Sequence, residues 1–126
     1  MIQFFKCKKC SKILEVVNKG CPVVVCCGEE MTELKANTTD GASEKHVPVI
    51  ESEGNKILVK VGSAVHPMED DHYIQWIAIE TDKGVQKKFL KPHQDPEAAF
   101  TLTDEKLLAA YEYCNKHSLW KADFQI

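Results

Sequence analysis

The sequence predicts a mainly β protein in two parts, a small N-terminal metal module followed by an antiparallel β-sandwich. Two observations carry this. Five of the six Cys lie in the first 27 residues, whereas all five His lie at or after position 46, so two different donor chemistries occupy two stretches of chain. The chain after residue 45 breaks into short runs of alternating apolar and polar residues separated by turn formers, the pattern of half-buried strands. The 126 residues suit one ordinary domain or two small ones. A part of a few tens of residues needs a staple such as a metal.

Lys45 to Glu51 carries Val47, Val49 and Ile50 around Pro48 and reads as the first strand of the larger part. The Glu53-Gly54-Asn55 turn leads into Lys56 to Val61, where Ile57, Val59 and Val61 alternate with polar residues. Tyr73 to Glu80 has apolar residues on both faces, so both are expected to be covered. Thr81-Asp82-Lys83-Gly84 then predicts a hairpin into Val85 to Leu90. Thr103 to Cys114 is ambiguous. Leu107, Leu108 and Tyr111 fit a helix, while Leu107, Ala109, Tyr111 and Tyr113 fit a strand face, and pattern alone favours the helix. The polar stretch Lys35 to Gly41 marks the boundary, which we set between residues 36 and 37.

A formal net charge of −3 with no basic stripe among aromatics argues against a nucleic-acid partner. The start, Met1 to Lys6, has no secretory apolar core, and the longest apolar run, Val23 to Cys27, is too short to cross a bilayer. A cytoplasmic protein without membrane contact is expected, and there Cys residues serve as metal ligands or reactive thiols more often than as disulfides.

Cys7-Lys8-Lys9-Cys10 and the adjacent pair Cys26-Cys27, followed by Gly28, offer four thiolates for one tetrahedral ion. Softness and geometry leave Fe and Zn both open. Two adjacent Cys distort the ligand angles, and a plain zinc ribbon would use a second Cys-x-x-Cys. A thioredoxin-like role for Cys7 and Cys10 lacks a surrounding βαβ pattern. Cys21 could replace one of the four, but reads better as a small buried or loop thiol.

The other donors fall in three compact segments, Glu44-Lys45-His46-Val47-Pro48, His66-Pro67-Met68-Glu69-Asp70-Asp71-His72 and Cys114-Asn115-Lys116-His117. Each His alone is more often a surface or satisfied core residue. Together they offer four imidazoles and one thiolate, which suits a redox-active iron with one open position better than a closed four-ligand zinc site. His93 sits in a Pro-flanked polar loop and reads as surface.

Taken together, these segments resemble the desulfoferrodoxin family of superoxide reductases, in its two-iron class, over nearly the whole chain. Residues 1–36 look like a desulforedoxin module, and Glu44 to Pro48, His66 to His72 and Cys114 to His117 match the family's Glu-Lys-His-Val-Pro, His-Pro-Met-x-x-x-His and Cys-Asn-x-His motifs. The resemblance implies an immunoglobulin-like sandwich over 37–126 and a homodimer. It implies one iron on Cys7, Cys10, Cys26 and Cys27. A second iron would sit on His46, His66, His72 and His117 equatorially and Cys114 axially. Glu44 would take the sixth position in the oxidised state, and Lys45 would sit over the open one. It also places a strand before Cys114, which turns the preference for Lys106 to Tyr113 from helix to strand. One departure stands out: the family often has Gly after the last ligand His, where this chain has Ser118.

The activity so implied is one-electron reduction of superoxide to hydrogen peroxide, with electrons from rubredoxin or a similar donor, as an oxidative-stress defence. The first iron would relay electrons or hold the module together. An electron carrier, a structural zinc protein and a superoxide dismutase are the competing readings.

Overall fold

A computed structural model describes residues 1–40, 45–64 and 66–125, and every described element is a β-strand. The chain forms two compact units, Met1–Lys35 and Ala36–Ile126.

The first unit is built from very short strands. β1 (Phe4–Lys6) pairs antiparallel with β2 (Ile13–Glu15) on one side and β5 (Thr32–Glu33) on the other, and β3 (Val25–Cys26) with β4 (Glu29–Glu30) forms a separate hairpin. Its core is small: Phe5, Cys7 and Met31 are buried together, with Val16, Val24 and Cys26 packed against them.

The second unit is an antiparallel β-sandwich of seven strands in two sheets. β6 (Pro48–Glu53), β7 (Lys56–Val61) and β10 (Glu97–Thr101) make one sheet in the order β10-β7-β6. β8 (Ile74–Thr81), β9 (Gly84–Phe89), β11 (Leu107–Cys114) and β12 (Ser118–Asp123) make the other in the order β12-β11-β8-β9. Ile57, Val59 and Val61, alternate residues of β7, pack against Ile77, Ile79, Ala110 and Cys114 from the facing sheet. Alternation sends one side of β7 inward, which is why its sequence reads so clearly. β8 is buried on both faces, as its apolar pattern predicts.

Leu107–Cys114 is a strand, not the helix that pattern alone favours. It lies between β8 and β12, and seven of its eight residues are buried, so the two-residue period that identifies a strand is lost. The hairpin at Thr81–Gly84 forms as expected, with Thr81 opposite Gly84.

The β11–β12 connection is tight. Cys114 lies opposite Ser118, and Ser118 adopts φ 71°, a left-handed conformation that an L side chain disfavours. Ser in place of Gly here therefore carries a backbone cost of about 1 kcal/mol. Ser118→Gly is expected to raise the unfolding free energy by about 1 kcal/mol in urea titrations. An unchanged or lower midpoint would mean that the hydroxyl makes a compensating interaction.

Candidate metal centres

In the first unit, β1 delivers Cys7 into a bend whose amides turn toward its sulfur. Lys9 N and Cys10 N each donate to Cys7 Sγ at 3.4 Å. These two donors lower the Cys7 thiol to about 6, well below the ordinary thiol range. The second pair sits on the β3–β4 hairpin, where Cys26 lies opposite Glu29 and the two residues between them, Cys27 and Gly28, have φ 54° and 77°. Positive φ at both central positions is the signature of a type I′ hairpin turn. A Cβ on Gly28 would meet nothing within 4 Å, so conformation and not space calls for glycine there. The turn brings the adjacent thiols together, with Cys26 Sγ 3.9 Å from Cys27 Sγ and 3.8 Å from Cys10 Sγ. Cys26 is pushed up to about 12, chiefly by its hydrogen bond with Cys7, because one thiolate among clustered thiols holds the next proton in place. Cys21 is an exposed loop thiol outside this cluster.

In the second unit, the donors sit at one end of the sandwich. His46 precedes β6, His66 and His72 lie in the β7–β8 connection, Cys114 ends β11 and His117 lies in the turn before β12. Antiparallel pairing brings these points together, with Pro48 opposite Val61 and Cys114 opposite both Ile74 and Ser118. One donor atom from each of the five residues lies within 4.8 Å of the others. His66 Nε2 is 2.9 Å from His46 Nε2, which is 3.1 Å from His117 Nδ1, and Cys114 Sγ is 3.8 Å from His117 Nδ1. Cys114, His46 and His66 are buried, His72 is half-buried and His117 is exposed, so the cluster is sealed on one side and reaches solvent on the other.

The residues around these donors explain the rest of each motif. Asn115, next to Cys114, ties two loops together: its Oδ1 accepts from Tyr73 N and its Nδ2 donates to Asp71 O, both at 2.9 Å. Met68 packs against the sandwich core, and its sulfur accepts from Ile74 N at 3.4 Å. Trp120 stacks on His46, with ring centroids 4.7 Å apart, and its Nε1 donates to His117 O at 2.9 Å. Sequence reasoning assigned none of these three roles, because each residue acts on a neighbour that only the fold supplies. Glu112, two residues before Cys114, is fully buried, and neither carboxylate oxygen has a hydrogen-bond partner among the described residues. Burial, with Asp40 nearby, pushes its carboxyl up to about 9, so it is held neutral at pH 7. Lys45 is half-buried beside His46, and Glu44 lies outside the described residues. His93 is exposed, with Nε2 3.0 Å from Asp70 Oδ1, and takes no part in the cluster.

Both clusters fit a metal on their own chemistry. His66 Nδ1 lies 2.7 Å from Pro67 O; a carbonyl only accepts, so Nδ1 carries the proton and Nε2 turns its lone pair into the cluster. A first-row divalent ion holds imidazole nitrogen at about 2.1 Å and thiolate sulfur at about 2.3 Å, so nitrogens at right angles lie about 3 Å apart and tetrahedral sulfurs about 3.8 Å apart. The separations given above match both values.

The family profile for desulfoferrodoxin matches residues 38–123, and that for the desulfoferrodoxin N-terminal domain matches residues 1–34. The chain belongs to the desulfoferrodoxin family. It is 49% identical over 122 residues to a desulfoferrodoxin homolog of Archaeoglobus fulgidus, covering 97% of each chain. It is 50% identical over 121 residues to desulfoferrodoxin of Nitratidesulfovibrio vulgaris, covering 96% of this chain and 95% of that one. The crystal structure of the superoxide reductase from Treponema pallidum superimposes with a TM-score of 0.85 at 37% identity, covering 98% of each chain. As a desulfoferrodoxin, the chain carries two iron centres, one of four thiolates and one of four imidazoles with a thiolate.

The two centres are built from separate residues, which makes them separable. Cys10→Ser is expected to lower iron content from two ions to one per chain, leaving the histidine-rich centre filled. Elemental analysis with a visible spectrum checks this, and loss of both irons would contradict it.

Proposed function

We propose that the chain is a superoxide reductase, and that His46, His66, His72, His117 and Cys114 hold its reactive iron. The observation that carries the reading is the five-donor cluster, sealed behind Cys114 and open beside His117. Its family and its likeness to superoxide reductases of known structure support the same reading. Bound there in the ferrous state, iron would supply the single electron and an open coordination position for a small anion.

The chain's own residues do the rest. The overall change is superoxide plus one electron plus two protons giving hydrogen peroxide. Lys45, beside His46, supplies local positive charge in a chain of net charge −3, and so attracts the anion to the open side. It also orders the water that delivers the protons. The buried Cys114 sulfur feeds electron density into the centre. The indole of Trp120 holds the His46 ring in place, and its N–H fixes the backbone of His117.

On this reading residues 1–36 form the four-thiolate iron module, with Cys7, Cys10, Cys26 and Cys27 as ligands, and 37–126 form the reductase domain. The resemblance adds Glu44, next to Lys45 in the sequence, as a residue that would help hold the oxidised iron. Each turnover consumes an electron, so an external donor is required; a rubredoxin-like protein suits a small cytoplasmic homodimer acting in oxidative-stress defence.

Lys45→Ala is expected to slow superoxide capture by about tenfold and to flatten its dependence on ionic strength. Pulse radiolysis across a salt series measures both, and an unchanged capture rate would remove Lys45 from the mechanism. Sustained turnover is expected to need added reductant. Sustained consumption of superoxide without a donor would instead identify a dismutase.

A further inference from the structure

We propose that Gly62 is a positioning residue of the reductase site, seating the peptide unit that joins Lys45 to His46. This rests on the role of Lys45 proposed above.

Gly62 follows the last residue of β7, and its neighbour Val61 lies opposite Pro48, so Gly62 faces the segment that leads into β6. It has φ 78°, in the region that favours glycine. A Cβ built on it would overlap the carbonyl oxygen of Lys45 and stand 2.8 Å from both the carbonyl carbon and the Cβ of that residue. Carbon atoms in contact prefer about 3.5–4.0 Å, and two of the three obstructing atoms, including the nearest, are backbone, so a side chain could enter only by moving the Lys45 peptide. Gly54 and Gly28 also have positive φ, yet a Cβ on either would meet nothing within 4 Å. Close approach therefore distinguishes Gly62 from glycines that merely make a turn.

The same peptide unit is gripped on its other side. Its N–H, that of His46, donates to Asp40 Oδ1, which also accepts from Val47 N at 3.0 Å. The carbonyl of Lys45 thus rests against Gly62 while the amide of His46 is tied to Asp40. One clamp fixes the start of two side chains at once, the cation that attracts the anion and the first imidazole of the donor set. A methyl group at position 62 would tilt this unit and displace Lys45 from the open side of the site.

The test compares Gly62→Ala with Gly54→Ala, which carries a similar conformational penalty at φ 60° without a collision. Gly62→Ala is expected to slow superoxide capture by about tenfold, to flatten its salt dependence and, in the iron-loaded protein, to speed hydrogen exchange at the His46 amide read by mass spectrometry. Gly54→Ala is expected to change none of these. In the Lys45→Ala background, Gly62→Ala is expected to slow capture no further, because both changes remove one interaction. If Lys45→Ala alone leaves capture unchanged, the reading of Lys45 fails. If Lys45→Ala slows capture while Gly62→Ala does not, or if the two effects multiply, the role of Gly62 is overturned. Should Gly62→Ala fail to fold, Asp40→Ala releases the same peptide without inserting atoms; it is expected to slow capture and speed exchange at His46, and parent behaviour in both would overturn the clamp.

Discussion

Donor atoms from five side chains lie within 4.8 Å of one another, and a single cation can engage all five lone pairs at once. Hydrogen bonds between the rings can satisfy only part of this set, because each neutral imidazole carries one N–H and that of His66 is given to Pro67 O. A cation at the centre makes every one of these contacts favourable, so metal binding contributes to holding this end of the sandwich together. The sandwich in turn supplies the stiffness that keeps the donors gathered. Cys114 belongs to the hydrophobic core, and β11 is held by β8 on one side and β12 on the other, so the sulfur has little freedom to retreat.

The N-terminal unit meets the same constraint from the opposite direction. Its buried cluster of Phe5, Cys7 and Met31 is too small to support a fold by apolar burial alone. Cys7 is at once a core residue and a donor, and Cys26 packs against the same cluster. Core and metal site are therefore one object in this unit. In the larger unit the core is extensive, and the donors occupy its end.

Much of this was legible in the sequence, for reasons that vary by element. Lys56–Val61 reads directly because one face is buried and the other is not. Leu107–Cys114 does not, because burial on both faces erases the period; its pattern fits both helix and strand, and the family resemblance decided for the strand. Glu97–Thr101 gave no local signal, since two alanines weaken strand preference and pairing with β7 decides the outcome. The nine donors were legible because Cys and His in compact motifs are unusual in themselves. The roles of Asn115, Trp120 and Gly62 were not, because a staple, a stacked ring and a close approach exist only once distant segments meet.

Burial also separates the chemistry of the two centres. Thiolates are the ligands most open to oxidation, and their susceptibility follows exposure. In the histidine-rich cluster the single sulfur is fully buried, while an imidazole, His117, takes the exposed position. In the four-thiol cluster Cys10 and Cys27 are exposed. A centre that generates peroxide needs its sulfur sealed behind more robust ligands, and only the histidine-rich cluster meets that need. The four-thiol cluster, with sulfur facing solvent, suits electron transfer or structural support, tasks that bring no oxidant to the metal. The distribution of accessible sulfur thus argues, independently of family, that superoxide is reduced at the end of the sandwich.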